Sequence, residues 1–236
     1  MIGFFSAPPP ALQAALSDAE QLSFDFLGGS PSPSSIPSAS INPGDGALIK
    51  VIVRHRSTDG LARTHLAPTT TLANLHDFGS GVRFQKIWDS FDATGADLRV
   101  TEWWGYATGA TGAGTITGNF SGAVQNASIE VFRYAAGWAA SPNGVFDTTE
   151  GAGTTWAVTF GSAPVATSRL LMAVLQNTTD QSHTLPAGWT SVTDFQTGFH
   201  HALTAKAAGA VGAGPHTITD LSSAFRAGGA SEVLAA

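Results

Sequence analysis

Cysteine is absent from the 236 residues. That excludes a disulfide scaffold, a thiolate zinc site and thiol catalysis. Charge is scarce as well: Asp, Glu, Lys and Arg make up 12% of the chain, about half the usual share. The 11 basic residues are outnumbered by 17 acidic ones, for a formal net charge of −6. A dedicated nucleic-acid binder needs clustered Lys and Arg, and this chain has no such cluster. No apolar run approaches the roughly 18–20 residues of a membrane-spanning helix. The first basic side chain is Lys50, so the basic start of a secretory signal peptide is missing too. Low charge does not imply disorder here, because β-branched and aromatic residues are plentiful. The 43% hydrophobic share is rich in Ala, and 27 Gly punctuate the chain. These features predict an ordered, mostly β protein.

The N-terminal 29 residues read as a unit of their own. Residues 1–5 are apolar, three prolines follow, and residues 11–22 (ALQAALSDAEQL) have the pattern of a short helix. Residues 30–40 (SPSPSSIPSAS) have the composition of an extended linker. The expected layout is an anchor segment over 1–29, a Pro/Ser linker over 30–40 and a β-sandwich domain over 41–236. In the anchor, Phe4, Phe5, Leu12 and Leu16 are the side chains expected to dock into another protein, the alternative being a frayed tail or a segment packed on its own domain. Left in water, such groups are costly.

From residue 41 onward, short strand signals alternate with Gly/Ser/Thr-rich turns, and no long amphipathic helix intervenes. Residues 47–53 (ALIKVIV) and 169–175 (RLLMAVL) are the runs expected of strands buried on both faces. Residues 98–106 alternate. Leu98, Val100, Trp104 and Tyr106 share one face; Arg99, Thr101 and Trp103 share the other. The two halves, about 41–140 and 150–236, echo each other. Residues 47–53 match 169–175, 112–117 match 212–219, 119–121 match 220–222, and 126–128 match 229–231. The fold class expected is all-β: an antiparallel β-sandwich or jelly roll with an internal pseudo-repeat, preceded by the anchor peptide or helix. Each half-unit is expected to supply strands to both sheets of one domain, with two adjacent small sandwiches as the competing arrangement.

No G-x-S-x-G, H-E-x-x-H or P-loop motif occurs. No catalytic residue, metal site or cofactor is therefore assigned. Of the seven His, His200 and His201 are adjacent in a strand, so they face opposite sides and cannot share one metal from that strand. Asp89, Asp92 and Asp97 lack the EF-hand spacing for calcium. Glu102, beside Trp103 and Trp104, is the one carboxylate placed for polysaccharide hydrolysis, which needs a second carboxylate roughly 5–10 Å away. Three Asn-x-Ser/Thr sequons, at Asn119, Asn126 and Asn177, have no secretion signal to support them. The six Trp carry the clearest binding signal. An outward Trp103 beside Arg99 offers an aromatic face for a sugar ring or a neighbouring subunit, the other reading being that it is core. Trp138 and Trp189, in loop-like contexts, are the next candidates.

A wider pattern joins these pieces. A buried strand over 44–53 precedes an aromatic strand over 100–106 and a Gly-rich turn with Thr-Ile-Thr and Phe-Ser-Gly over 112–122. Phe132-Arg133-Tyr134, then SRLLMAV over 168–174 and LPAGWT over 185–190 follow. Over residues 40–236 this resembles the β-sandwich modules of tailed bacteriophages and gene transfer agents, found in head decoration, head spike and tail appendage proteins. The resemblance implies a non-enzymatic virion structural protein. Its place would be the surface of a phage-like head, where it aids attachment to host polysaccharide; a tail fibre or baseplate subunit, or a free carbohydrate-binding module, are the alternatives. It also implies capsid or tail proteins as partners, a homo-oligomeric or symmetric assembly, and particle assembly in the bacterial cytoplasm, with no nucleic-acid partner and no membrane span.

Overall fold

In the computed structural model, the described residues are 14–29, 33–57, 59, 61–93, 97–179 and 182–236. Nearly all regular structure in them is β. The first half contributes β1 (Glu20–Gly28), β2 (Ser35–Pro37), β3 (Leu48–Arg56), β4 (His65–Thr70), β5 (Gln85–Asp92), β6 (Leu98–Tyr106), β7 (Ile116–Phe120) and β8 (Asn126–Tyr134). The second half contributes β9 (Trp138–Val158), β10 (Arg169–Asn177), β11 (His183–Thr184), β12 (Thr190–Thr197), β13 (His200–Ala208) and β14 (His216–Ala235). No helix among these residues is long and apolar enough to cross a membrane.

The strands form antiparallel sheets, in agreement with the expected sandwich. One sheet has the order β1-β8-β3-β6-β5. The second runs β11-β14-β10-β13-β12, with β9 also paired to β14. A small sheet, β2-β7-β4, covers the outer face of the first. The inner core lies between the two large sheets. It joins Leu48, Ile52, Val100, Trp104 and Phe132 to Leu171, Ala173, Leu175 and Val233. Ile49, Val51 and Val53 point the other way, onto Ile36, Ile116 and Phe120 of the small sheet. This is why residues 47–53 are apolar almost without a break: both faces of β3 are covered.

The second large sheet covers its own outer face by curling. Trp156, Val158 and Ile218 fold over Leu170, Met172 and Val174. They belong to β9 and β14, whose other ends lie in the main sheet. The turn from sheet to cover falls where the β9–β14 register breaks, between Thr219 and Ala224. Gly153 lies opposite Ala224 with φ +149°, a backbone that a side chain would disfavour.

The halves do share one topology. In sheet order, β1-β8-β3-β6-β5 and β9-β14-β10-β13-β12 match strand for strand. Leu48 pairs with Tyr106 and Tyr134, and Arg169 pairs with Ala208 and Val233, so Leu48 and Arg169 are equivalent. The match drawn from sequence, Ala47 with Arg169, is one residue out of register, and such a slip reverses the faces. A further difference concerns the halves themselves. Each builds its own large sheet instead of lending strands to both.

The N-terminal reading needs correction. Phe4, Phe5 and Leu12 lie outside the described residues. Leu16, however, is buried in the chain's own inner core. No helix covers 14–22; residues 20–28 form β1, antiparallel to β8. The alternation around Phe24 and Phe26 outweighs the Ala/Leu spacing, because β8 offers a ladder and the second sheet offers Phe195, 5.0 Å from Phe24 and 5.1 Å from Phe26. The described part of the linker is also structural. Ile36 is buried, and Ser38 Oγ accepts from Ile116 N at 3.0 Å. Pro37 is tolerated because β2 is an edge strand.

Candidate functional site

The aromatic face inferred from sequence does not assemble. Trp103 does lie on the face of β6 opposite Trp104, but Ile36, Leu72, Leu75 and Phe84 share its cluster, and it is only 6% exposed. The alternation identifies the two faces of a strand; it does not reveal that a small sheet covers the second. Arg99 is held by Asp89 at 2.7 and 2.6 Å. Trp189 is buried, and its Nε1 donates to His216 Nδ1 at 3.2 Å. Trp138 is half-buried beside Tyr106, and its Nε1 donates to Gly46 O at 3.0 Å. These four side chains occupy separate places.

The acidic candidates are engaged too. Glu102 is fully buried. Its Oε1 accepts from Lys50 Nζ at 2.8 Å and from Ser231 Oγ at 2.6 Å, and its Oε2 accepts from Trp88 Nε1 at 3.0 Å. A parallel cluster centres on Glu130, which meets Arg54 Nη1 at 3.1 Å and accepts from Gln21 Nε2, Thr193 Oγ1 and Thr204 Oγ1. Burial lowers the pKa of both Lys50 and Arg54, and the neighbouring carboxylates oppose that shift. Both pairs lie between the two large sheets, with hydroxyls from the second half completing shells that begin in the first. Asp89 belongs to a further chain of contacts. Arg99 and Thr101 bond its carboxylate, and His65 Nδ1 lies 2.8 Å from Thr101 Oγ1. His55 Nδ1 lies 2.7 Å from His65 Nε2. Since Thr101 donates to Asp89, the network sets the protons: His65 donates to Thr101 and His55 donates to His65. Burial, reinforced by Arg99 and Arg63, holds the His55 pKa down at about 3.

The second half holds the group that sequence reasoning missed. His183, Asp194 and His201 each present a ligand atom, all within 4.8 Å of one another. His201 Nε2 is 2.7 Å from Asp194 Oδ1, and His183 Nδ1 is 3.9 Å from Asp194 Oδ2. As the sequence implied, His200 and His201 face opposite sides. His200 turns inward to Ser128 and Phe26, and His201 turns to Asp194. Asp194 and His201 share a face because Gln196 pairs with His201 across β12 and β13. His183 arrives from β11, at the opposite end of the sheet order. The curl brings these ends together. A cavity of about 240 Å³ adjoins His183, lined by Ser182, Thr184, Thr219 and Asp220.

These features define an all-β, antiparallel, internally repeated sandwich. Compared with protein-family models, curated proteins and solved structures, the chain matches none.

Proposed function

We propose that this chain is a non-enzymatic structural subunit on the surface of a phage-like head, of the spike or decoration kind, that aids attachment to host polysaccharide. The observation that carries the reading is how the polar and aromatic side chains are used. Glu102, Glu130, Asp89, Trp103 and Trp189 are all engaged in internal contacts that lock the two halves or their covers. Such a body presents surfaces rather than a catalytic cleft. Phe146, Leu61, Leu66 and Phe199 are each at least half exposed, a supply of apolar contacts for neighbouring subunits. Trp138, half-buried at the start of β9, is the aromatic residue left for a sugar once Trp103 and Trp189 are enclosed.

The test is immunogold electron microscopy of particles from the producing strain, with an antibody to the purified chain. Label on heads is the expected result. Label at the tail tip would move the subunit to an adsorption appendage, and unlabelled particles would overturn the virion reading in favour of a free carbohydrate-binding module.

A further inference from the structure

The curled sheet has a seam, and the His–Asp group sits on it. β11 and β12 are the terminal strands of the sheet order, yet His183 of β11 comes within reach of Asp194 of β12 and His201 of β13. Among the described residues, this is the group of three whose donor atoms converge. His201 is 1% exposed, fixed in the strand ladder, and Asp194 has a side chain 40% exposed that is able to swing. Two imidazoles and one carboxylate are borderline-to-hard donors. They suit zinc and its first-row neighbours better than calcium or magnesium, which prefer all-oxygen shells.

Shifts of about 1 Å in the exposed Asp194 side chain and the His183 ring would bring the group to the geometry of an occupied site. Zn–N and Zn–O bonds of about 2.1 Å put tetrahedral ligand atoms about 3.4 Å apart. The observed separations, 2.7 and 3.9 Å to the carboxylate oxygens and at most 4.8 Å overall, bracket that value. The Asp194 carboxylate already lies between the two rings, where an ion would replace the hydrogen-bond proton it shares with His201. The adjoining cavity is lined by His183 together with Ser182, Thr184 and Thr219, so water reaches the group from that side.

We propose that His183, Asp194 and His201 bind one divalent transition-metal ion of the zinc class, which clasps the two ends of the curled sheet. This site is independent of where the chain acts, so its failure leaves the particle reading untouched.

The experiment uses the full chain without an affinity tag. Zn²⁺ binding is followed by isothermal titration, Co²⁺ binding by visible absorption, and Tm is measured with and without Zn²⁺. The expected result is one ion per chain, a tetrahedral or five-coordinate Co²⁺ spectrum, and a Tm that rises with Zn²⁺. Asp194→Asn and His183→Gln should each weaken binding more than about tenfold, since loss of even an outer-shell partner costs that much. Both substitutions keep side-chain size, and Tm without metal verifies that the variants fold. His76→Gln, elsewhere on the protein, should bind as the parent does. No saturable binding would overturn the proposal. So would binding that survives both site substitutions, or that falls equally with His76→Gln.

Discussion

Lys50, Arg54, Glu102 and Glu130 lie between the large sheets with side chains at 0% exposure. Taking such charges from water is expensive, and only complete pairing offsets it. Losing one partner strands the other. Glu102→Gln should therefore cost about 3–5 kcal/mol, whereas Lys50→Met combined with Glu102→Gln should recover part of that loss. Urea unfolding of the single and double variants measures the coupling. The buried histidines set a pH response. His200 is held at about 3 by burial, with Arg54 and Arg56 adding to the effect. An unfolded imidazole titrates near 6.5. The unfolded chain thus takes up protons first, so stability is full above about pH 6.5 and declines from there toward pH 3. His55 adds to this decline, being held at about 3 as well. Stability measured against pH should slope in that window, and His200→Asn should remove about one proton from the slope. Little of this was legible in sequence. Lys50 interrupts an apolar run, which signals a buried charge, but its partner lies 52 residues away.

At the scale of elements, alternation was the reliable signal wherever both faces of a strand are filled by local rules. Alternation located β6 and placed Trp103 opposite Trp104, while nearly unbroken apolar runs located β3 and β10. β1 and β2 were missed, read as a helix and a linker, because their pairing partners are about a hundred and about eighty residues distant. A Pro/Ser-rich segment reads as linker until the strand that accepts it is known. Ile36 tests the difference. Ile36→Ala should cost about 2–4 kcal/mol through the cavity left beneath the small sheet, where a free linker would show no change; thermal unfolding decides. Gly228 tests the closeness of β14 to β10. A Cβ there would meet Ala173 O at 2.5 Å and Val174 Cα at 2.9 Å. Gly228→Ala should lower stability by about 1–3 kcal/mol because backbone has to move. For the His–Asp group, Asp194 and His201 flank one tight turn and were within reach of sequence reasoning. His183 was not, since only the curl of the sheet delivers it.

At the scale of the molecule, neither half has a finished interior without the other. Thr193, Thr204 and Ser231 cap carboxylates of the first half, and the inner core draws on both. Chains 1–136 and 137–236 should each be insoluble alone yet co-purify when expressed together. The intact chain should melt in a single cooperative transition by calorimetry. The shared strand order has one more consequence. By the pairing of the central strands, Lys50 corresponds to Leu171, Arg54 to Leu175 and Glu102 to Thr204. Where the Thr204 hydroxyl meets Glu130, a second copy of the first half would bring the Glu102 carboxylate. Two buried negative charges would then face each other. The repeat has therefore diverged into a lock and its key: the first half meets its sister through hydroxyls that its twin would replace with a carboxylate, so two first halves do not close on each other.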